Sequence, residues 1–158
     1  MQKDTQLIDS DEAVLGIEFG STRIKAVLID KKGEILANGV FNWENSFENS
    51  IWTYMQSESW AGLQAAYSNL VKNVQTQYHT TLQRVAAIGI SAMMHGYMPF
   101  DRGGNQLVPF RTWRNNFTEK SSKKLTALFV YNIPQRWSIA HLYHAILNQK
   151  LIFLTLII

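Results

Sequence analysis

The chain has 158 residues, with 15 Lys and Arg against 12 Asp and Glu, for a formal net charge of +3. With 46% hydrophobic and 17% charged residues it has the composition of a globular protein able to bury a core, which excludes a disordered tail, a collagen-like repeat and a coiled coil. It contains no cysteine, so disulfides, thiolate zinc sites and cysteine nucleophiles are excluded and a reducing compartment is permitted.

Residues 1–12 carry Lys3, Asp4, Asp9, Asp11 and Glu12 without an apolar run. They read as a polar N-terminal extension, not a signal or transit peptide, which makes the cytoplasm the default location. Ala13 to Phe19 is apolar and β-rich, the turn pair Gly20-Ser21 follows, and Thr22 to Asp30 alternates as a returning strand. Lys31-Lys32-Gly33 turns the chain into Glu34 to Trp43, the third strand of a meander. A polar loop rich in Asn and Ser comes next. In Ser59 to His79, Trp60, Leu63, Tyr67, Leu70, Val74 and Tyr78 recur at steps of three and four, which predicts an amphipathic helix. Val85 to Ser91 is a continuous apolar run that suits a buried, central strand. Tyr97 to Asp101 and Gln106 to Phe110 flank a turn at Arg102 to Asn105. Phe117 to Val130 reads as a helix with Leu125, Leu128 and Phe129 on one side. Asn132-Ile133-Pro134 separates it from a last helix opened by Ser138, with Ile139, Leu142, Tyr143, Ile146 and Leu147 at helical spacing. Strands of a meander, a helix and then another strand indicate an α/β fold.

The end of the chain, Leu151 to Ile158, is uncharged and branched-aliphatic. It is far shorter than the roughly 20 residues that span a bilayer. An unpartnered segment of this kind is an aggregation hazard, so the expectation is a chain that stops inside a larger fold or one whose true continuation has been replaced.

The turn after the first strand is the most informative place for chemistry. Gly20 lets backbone approach a ligand closely, turn N–H groups can form an anion-binding concavity, and Ser21 and Thr22 add hydroxyls. Glu18 beside it is a hard oxygen ligand suited to magnesium, and Lys25 lies on the returning strand. An ordinary Gly-Ser turn with a surface carboxylate has the same residues, and neither GxxxxGK[ST] nor GxGxxG occurs. Met94 offers a polarizable wall and His95 a hydrogen-bonding ring, although a polar strand end and core methionines read the same way. His141 and His144 are three apart on the last helix with no third ligand nearby in sequence, which argues against zinc. The five tryptophans offer flat faces for stacking, core packing being the ordinary use of most.

Three ordered motifs carry a resemblance. Leu15 to Asp30 (LGIEFGSTRIKAVLID) resembles the first phosphate-binding motif of the FGGY carbohydrate kinases, two-domain enzymes of the actin-like ATPase, ribonuclease H-like fold. Gly89 to Gly96 (GISAMMHG) is similar to the family's sugar-site segment in its xylulokinase-like branch, with Met94 and His95 at the pair that lies against the ketose. Trp113-Arg114-Asn115 resembles the family's Trp-x-Asp element, with Asn115 where Asp is usual. The resemblance runs from about Val14 to Leu147. It implies a mixed sheet starting with an antiparallel three-strand meander and flanked by helices, with residues 13–158 forming an incomplete N-terminal domain and the C-terminal domain absent.

The same resemblance implies transfer of the γ-phosphoryl group of ATP to a ketose hydroxyl with magnesium. Gly20, Ser21, Thr22 and Lys25 would then bind phosphate, Glu18 the metal, and Met94, His95, Trp113 and Asn115 the sugar. It implies no membrane or nucleic-acid partner, and homodimerisation is open for a complete parent. Glu18 stands where the family normally has Asp, which moves the carboxylate by one methylene. The base that takes the sugar proton, the adenosine elements and the second phosphate loop lie, in the family, beyond this region. The chain alone is therefore expected to be inactive or very weak, with no catalytic residue of its own. Two other readings stand beside this one. One is a non-catalytic actin-like module binding nucleotide or a protein partner. The other is a nucleic-acid binder of the ribonuclease H-like fold, suggested by an isoelectric point of about 9.2 but short of clustered carboxylates, since only Glu18, Asp30 and Asp101 lie near strand ends.

Overall fold

The computed structural model describes residues 2–10 and 12–148; the apolar segment 151–158 lies outside them. The chain divides into two compact units, Met1–Glu44 with Ser57–Met93, and Asn45–Gln56 with Met94–Ile158.

The first unit is built on a four-stranded sheet, β1 (Val14–Phe19), β2 (Arg23–Ile29), β3 (Ile35–Asn42) and β6 (Ala87–Ala92), in the order β3-β2-β1-β6. The first three strands form the expected antiparallel meander. β6 runs parallel to β1, so the sheet is mixed. Alternation along β2 places Ile24, Ala26 and Leu28 in the core at 0% exposure, which is the period-2 pattern read from sequence.

Helix α2 (Gln56–Tyr78) covers β3, and glycine makes the contact possible. A Cβ on Gly39 would stand 2.0 Å from the Ala66 carbonyl oxygen and 2.4 Å from the Leu70 amide nitrogen. One on Gly62 would stand 2.6 Å from Phe41 Cδ1. Asn69 Nδ2, Asn73 Nδ2 and Tyr78 OH donate to the carbonyls of Val40, Asn38 and Leu36 at 3.1, 2.7 and 2.8 Å. The helix thereby satisfies the outer edge of β3, a position that would otherwise invite pairing with another chain.

Several expectations need correction. Residues 2–9 form helix α1 (Gln2–Asp9), with Ile8 buried at 2% exposure, so the N-terminal stretch is a packed element as well as a polar one. The buried stripe of α2 is Gly62, Ala66, Leu70 and Val74. Trp60 and Tyr67 are exposed, because close approach to β3 selects the smallest side chains. β6 is an edge strand with every residue exposed, not a buried central one.

The second unit contains a hairpin of β4 (Ser46–Glu48) and β5 (Ile51–Thr53) where a loop was expected. Its two turn residues, Asn49 and Ser50, have φ of 48° and 64°, the left-handed conformation that a tight two-residue hairpin demands. Tyr97 pairs with Arg111 and Phe100 with Gln106 around the Asp101–Asn105 turn, as read from sequence. Helices α3 (Glu119–Phe129) and α4 (Ser138–Leu147) follow. Leu125, Ile133 and Ala140 form their shared core, with Trp137 and Tyr143 packed against it. Leu128 and Phe129 are exposed, and α4 buries Ala140, His141 and Ala145 instead of Ile139 and Ile146. Among the described residues no helix is long and apolar enough to cross a membrane.

Candidate functional site

In the first unit the register of three strands lines up one row of polar side chains. Glu18 on β1 is opposite Lys25 on β2 and opposite Ser91 on β6. Lys25 Nζ lies 3.3 Å from Glu18 Oε2, and the carboxylate is half exposed. Behind this row stand Gly16, Val27 and Gly89, and a depression of about 400 Å³ opens over them. The two glycines keep its floor low, with nothing within 4 Å of a Cβ placed on Gly89.

The Gly20 turn closes the same end of the hairpin. Gly20 donates its N–H to the Arg23 carbonyl at 3.0 Å, and a Cβ there would press on that oxygen at 3.0 Å. Trp43 braces the turn twice, its indole N–H donating to the Gly20 carbonyl at 2.8 Å and its backbone N–H to the Thr22 carbonyl at 3.1 Å. Ser21 and Thr22 are exposed, and the Thr22 N–H and hydroxyl donate to no group among the described residues. A fixed turn presenting unspent donors is the chemistry of an anion cradle. Trp43 was not among the expected site residues; only its place at the end of β3, opposite the turn, signals the role.

The residues fit magnesium in a limited way. Among the described residues no three His, Cys, Asp or Glu gather as a metal cage. Glu18 alone suits an ion that brings its own phosphates and waters, which is how magnesium is commonly held.

The other candidate residues belong to the second unit. Met94 is 73% exposed. His95 adopts φ 62° and stacks on Trp137, with ring centroids 6.3 Å apart and planes within 13°. A left-handed non-glycine residue held by a packed ring is a strained, fixed position of the sort found at binding sites. Tyr97, two residues on, exchanges both backbone hydrogen bonds with Arg111, each 3.0 Å. That bridge brings the His95 segment and the Trp113 segment side by side. Trp113 is 47% exposed and makes no ring contact or hydrogen bond among the described residues.

Asn115 differs from its expected role. It is buried, and its amide is committed to backbone: Oδ1 accepts from Trp52 N–H at 2.9 Å, while Nδ2 donates to the carbonyls of Trp52 and Thr112 at 2.8 and 3.0 Å. Its first task is to staple β5 to the Thr112–Asn115 turn, leaving one lone pair on Oδ1 for anything else.

Below the bridge lies a buried polar layer that sequence reading missed. The Arg111 guanidinium sits 5.3 Å from the Tyr97 ring centre and 5.2 Å from that of Phe117. The His141 ring is parallel to Tyr97 at 5.4 Å. Arg111 Nε, both His141 ring nitrogens and Tyr97 OH find no hydrogen-bond partner among the described residues. Burial, with the Arg111 and His144 charges adding to it, lowers the His141 pKa to about 4. Burial also raises Tyr97 and lowers Arg111.

The family model for the N-terminal domain of the FGGY carbohydrate kinases matches residues 13–141. The chain belongs to this family. Among curated relatives, the xylulose kinases of Klebsiella pneumoniae and Escherichia coli are 27% and 28% identical over 101 residues. Each match covers 64% of this chain and 20% of the relative. A glycerol kinase 2 of Clostridium tetani is 26% identical over 117 residues, 73% of this chain and 23% of that protein. The chain thus spans about a fifth of the length of the curated relatives it matches. A solved xylulose kinase of Rhodospirillum rubrum superposes with a TM-score of 0.74 at 17% identity, over 91% of this chain and 31% of that one. A kinase structure from Brucella ovis gives the same TM-score at 18% identity and the same coverage. The fold is the actin-like ATPase fold of these kinases, beginning with the meander and its parallel neighbour.

Proposed function

We propose that the chain is part of the N-terminal domain of an ATP-dependent sugar kinase acting on a ketose such as xylulose. The observation that carries this reading is the registered row of Glu18, Lys25 and Ser91 beside a braced turn with unspent donors. Gly20, Ser21 and Thr22 hold phosphate, and Lys25 and Glu18 supply one charge of each sign, so an incoming phosphate and its cation each meet an opposite partner. Glu18 would hold magnesium directly or through water, and the ion would supply positive charge against the transferred phosphoryl group. Met94 and Trp113 wall the sugar, His95 hydrogen-bonds a hydroxyl, and Asn115 keeps Trp113 in place.

The base that takes the hydroxyl proton lies, in this reading, outside the 158 residues. Two carboxylates near strand ends are committed to their own turns. Asp30 Oδ1 accepts from the N–H groups of Lys32 and Glu34 at 2.8 Å each. Asp101 accepts from Gly103 and Asn105, and these bonds, the Asn105 side chain first, hold it below the usual carboxylate range. Asp101, held so, is a poor proton acceptor. The working compartment in this proposal is the cytoplasm, and any self-association belongs to the complete protein.

Calorimetric titration with D-xylulose tests the proposal, together with ADP release measured beside a complete ketose kinase. Binding that His95→Ala removes, with sugar-dependent turnover more than about tenfold below the complete enzyme, is expected, since closure of a full cleft is required for transfer. Nucleotide binding with no sugar binding would instead favour a non-catalytic actin-like module.

A further inference from the structure

We infer that the buried layer of the second unit, Arg111 with Tyr97 and His141, encloses one small monovalent anion of about the size of chloride. Arg111 is 4% exposed and His141 0%. The rings of Tyr97 and Phe117 stand 5.3 and 5.2 Å from the guanidinium carbon, and the same two rings flank His141 with centroids 5.4 Å away in each case. The cation and the imidazole are thus gathered round one pair of rings. Five polar atoms of this layer are closed to solvent and have no hydrogen-bond partner among the described residues: Arg111 Nε and Nη1, both His141 ring nitrogens and Tyr97 OH. Native folds seldom leave such groups unspent, and a cluster of them marks the place of a bound water or ion.

Charge decides between water and ion. A buried cation calls for an opposite charge, and aromatic faces offset only part of it. The second unit has no carboxylate to give. Residues 45–56 and 94–158 hold eight Lys and Arg against three acids, Glu48, Asp101 and Glu119. Glu48 accepts from Ser46 Oγ at 2.7 Å, Asp101 accepts from its own turn, and Glu119 pairs with Lys123 at 2.6 Å. No ion pair reaches Arg111 among the described residues. The unspent groups are mostly donors: two guanidinium N–H groups, the phenol O–H and one imidazole N–H. Donors from three residues around a fixed positive charge suit an anion, which accepts from all of them, better than a water, whose own hydrogens would be left facing donors. Enclosure by rings favours an ion that is small and gives up its hydration readily, chloride over fluoride or a carboxylate. Such an ion would link the Tyr97–Arg111 bridge to His141 on α4.

The test adds sodium chloride to the full chain in chloride-free buffer, with sodium fluoride and sodium acetate at equal ionic strength beside it. Chlorine-35 magnetic resonance and thermal unfolding are followed together. The chloride signal is expected to broaden, and the unfolding midpoint to rise with chloride as a bound ligand requires, while fluoride and acetate leave the midpoint unchanged. Arg111→Met keeps most of the side-chain length and removes the charge. It should abolish both responses and unfold at a higher temperature than the unaltered chain when chloride is absent, because an unpaired buried cation is gone. Tyr97→Phe keeps the ring and removes one donor, so chloride should bind about tenfold more weakly; this variant carries the test if Arg111→Met does not fold. An equal rise with fluoride or acetate, a chloride signal that stays sharp, or a chloride response left unchanged by either substitution would each overturn the inference.

Discussion

The two polar regions are held in opposite ways. The Gly20 turn of the first unit is fixed by backbone: six register pairs join β1 to β2, six join β1 to β6, and Trp43 locks the loop by its own main-chain and indole N–H groups. The segments around His95 and Trp113 share one isolated bridge, one backbone bond ties Thr112 N–H to the Trp52 carbonyl at 3.1 Å, and side chains add further ties. Asn115 staples the backbone of Trp52, 63 residues away, and Trp137 holds the His95 ring. A ladder tolerates many side chains provided the backbone can approach. A stapled loop depends on the identity of a few residues, and its ligand preference can change with them while the fold persists.

The sharpest way to break this comparison is at the backbone approach itself. Gly39→Ala inserts a Cβ onto main-chain atoms of α2 at 2.0 and 2.4 Å, where no side chain can move aside. It should cost the first unit about 3 kcal/mol or more. Gly89→Ala, with nothing within 4 Å of the new atom, should change stability by less than about 0.5 kcal/mol. Urea unfolding of both variants decides it, and near-equal midpoints would mean that α2 does not rest on glycine contact.

The same contrast explains how much could be read from sequence. Val14 to Phe41 was legible because period-2 alternation and the Gly20 and Gly33 turns are local signals, and the Glu18–Lys25 row follows once the hairpin register is known. The α2 face was half legible: Leu70 and Val74 belong to it, but Gly62 and Ala66 displace Trp60 and Tyr67 because packing on β3 rewards small size over hydrophobicity. β6 has the composition of a buried strand, yet nothing in its own residues reports which neighbours cover it. The β4–β5 hairpin was hidden because Asn49 and Ser50 read as loop residues, whereas they serve here by accepting positive φ. Arg111, Arg114 and His141 could not be found as a pattern, since Arg114 is held by Asn45, 69 positions away, and by the Trp52 ring, while Arg111 and His141 meet the ring of Tyr97 only once the chain has folded.

If side-chain identity governs the second unit, its buried layer should register pH. His141 titrates near 4 when folded, against an ordinary value near 6.5, and burial is the main cause. Between those values the unfolded chain holds more protons than the folded one. Stability is therefore fully present above pH 6.5 and declines as pH falls toward 4, by about 3 kcal/mol in total. His141→Leu, which keeps the volume and removes the titrating group, should flatten that part of the pH profile. Nuclear magnetic resonance of the His141 ring gives an independent reading, and a midpoint near 6.5 would show the layer to be wetter than its packing indicates.

The smallest of the effects sharpens the comparison most, because it exchanges three atoms' worth of chemistry at constant shape. Asn115→Asp replaces a donor with an acceptor opposite the carbonyls of Trp52 and Thr112, which stand 2.8 and 3.0 Å from Nδ2. At neutral pH two bonds are lost and a buried carboxylate meets two carbonyl oxygens, for a cost of about 2 kcal/mol. The change should appear in thermal unfolding, in the exposure of Trp52 and in the order of the β4–β5 hairpin. If Asn115 were chiefly a sugar ligand, the same substitution would leave unfolding unchanged and alter only binding. If it is chiefly a staple, stability falls first, and any sugar affinity falls only to the extent that Trp113 loses the backbone that carries it. The second outcome would mean that the carbonyls of Trp52 and Thr112 exclude an aspartate at this position.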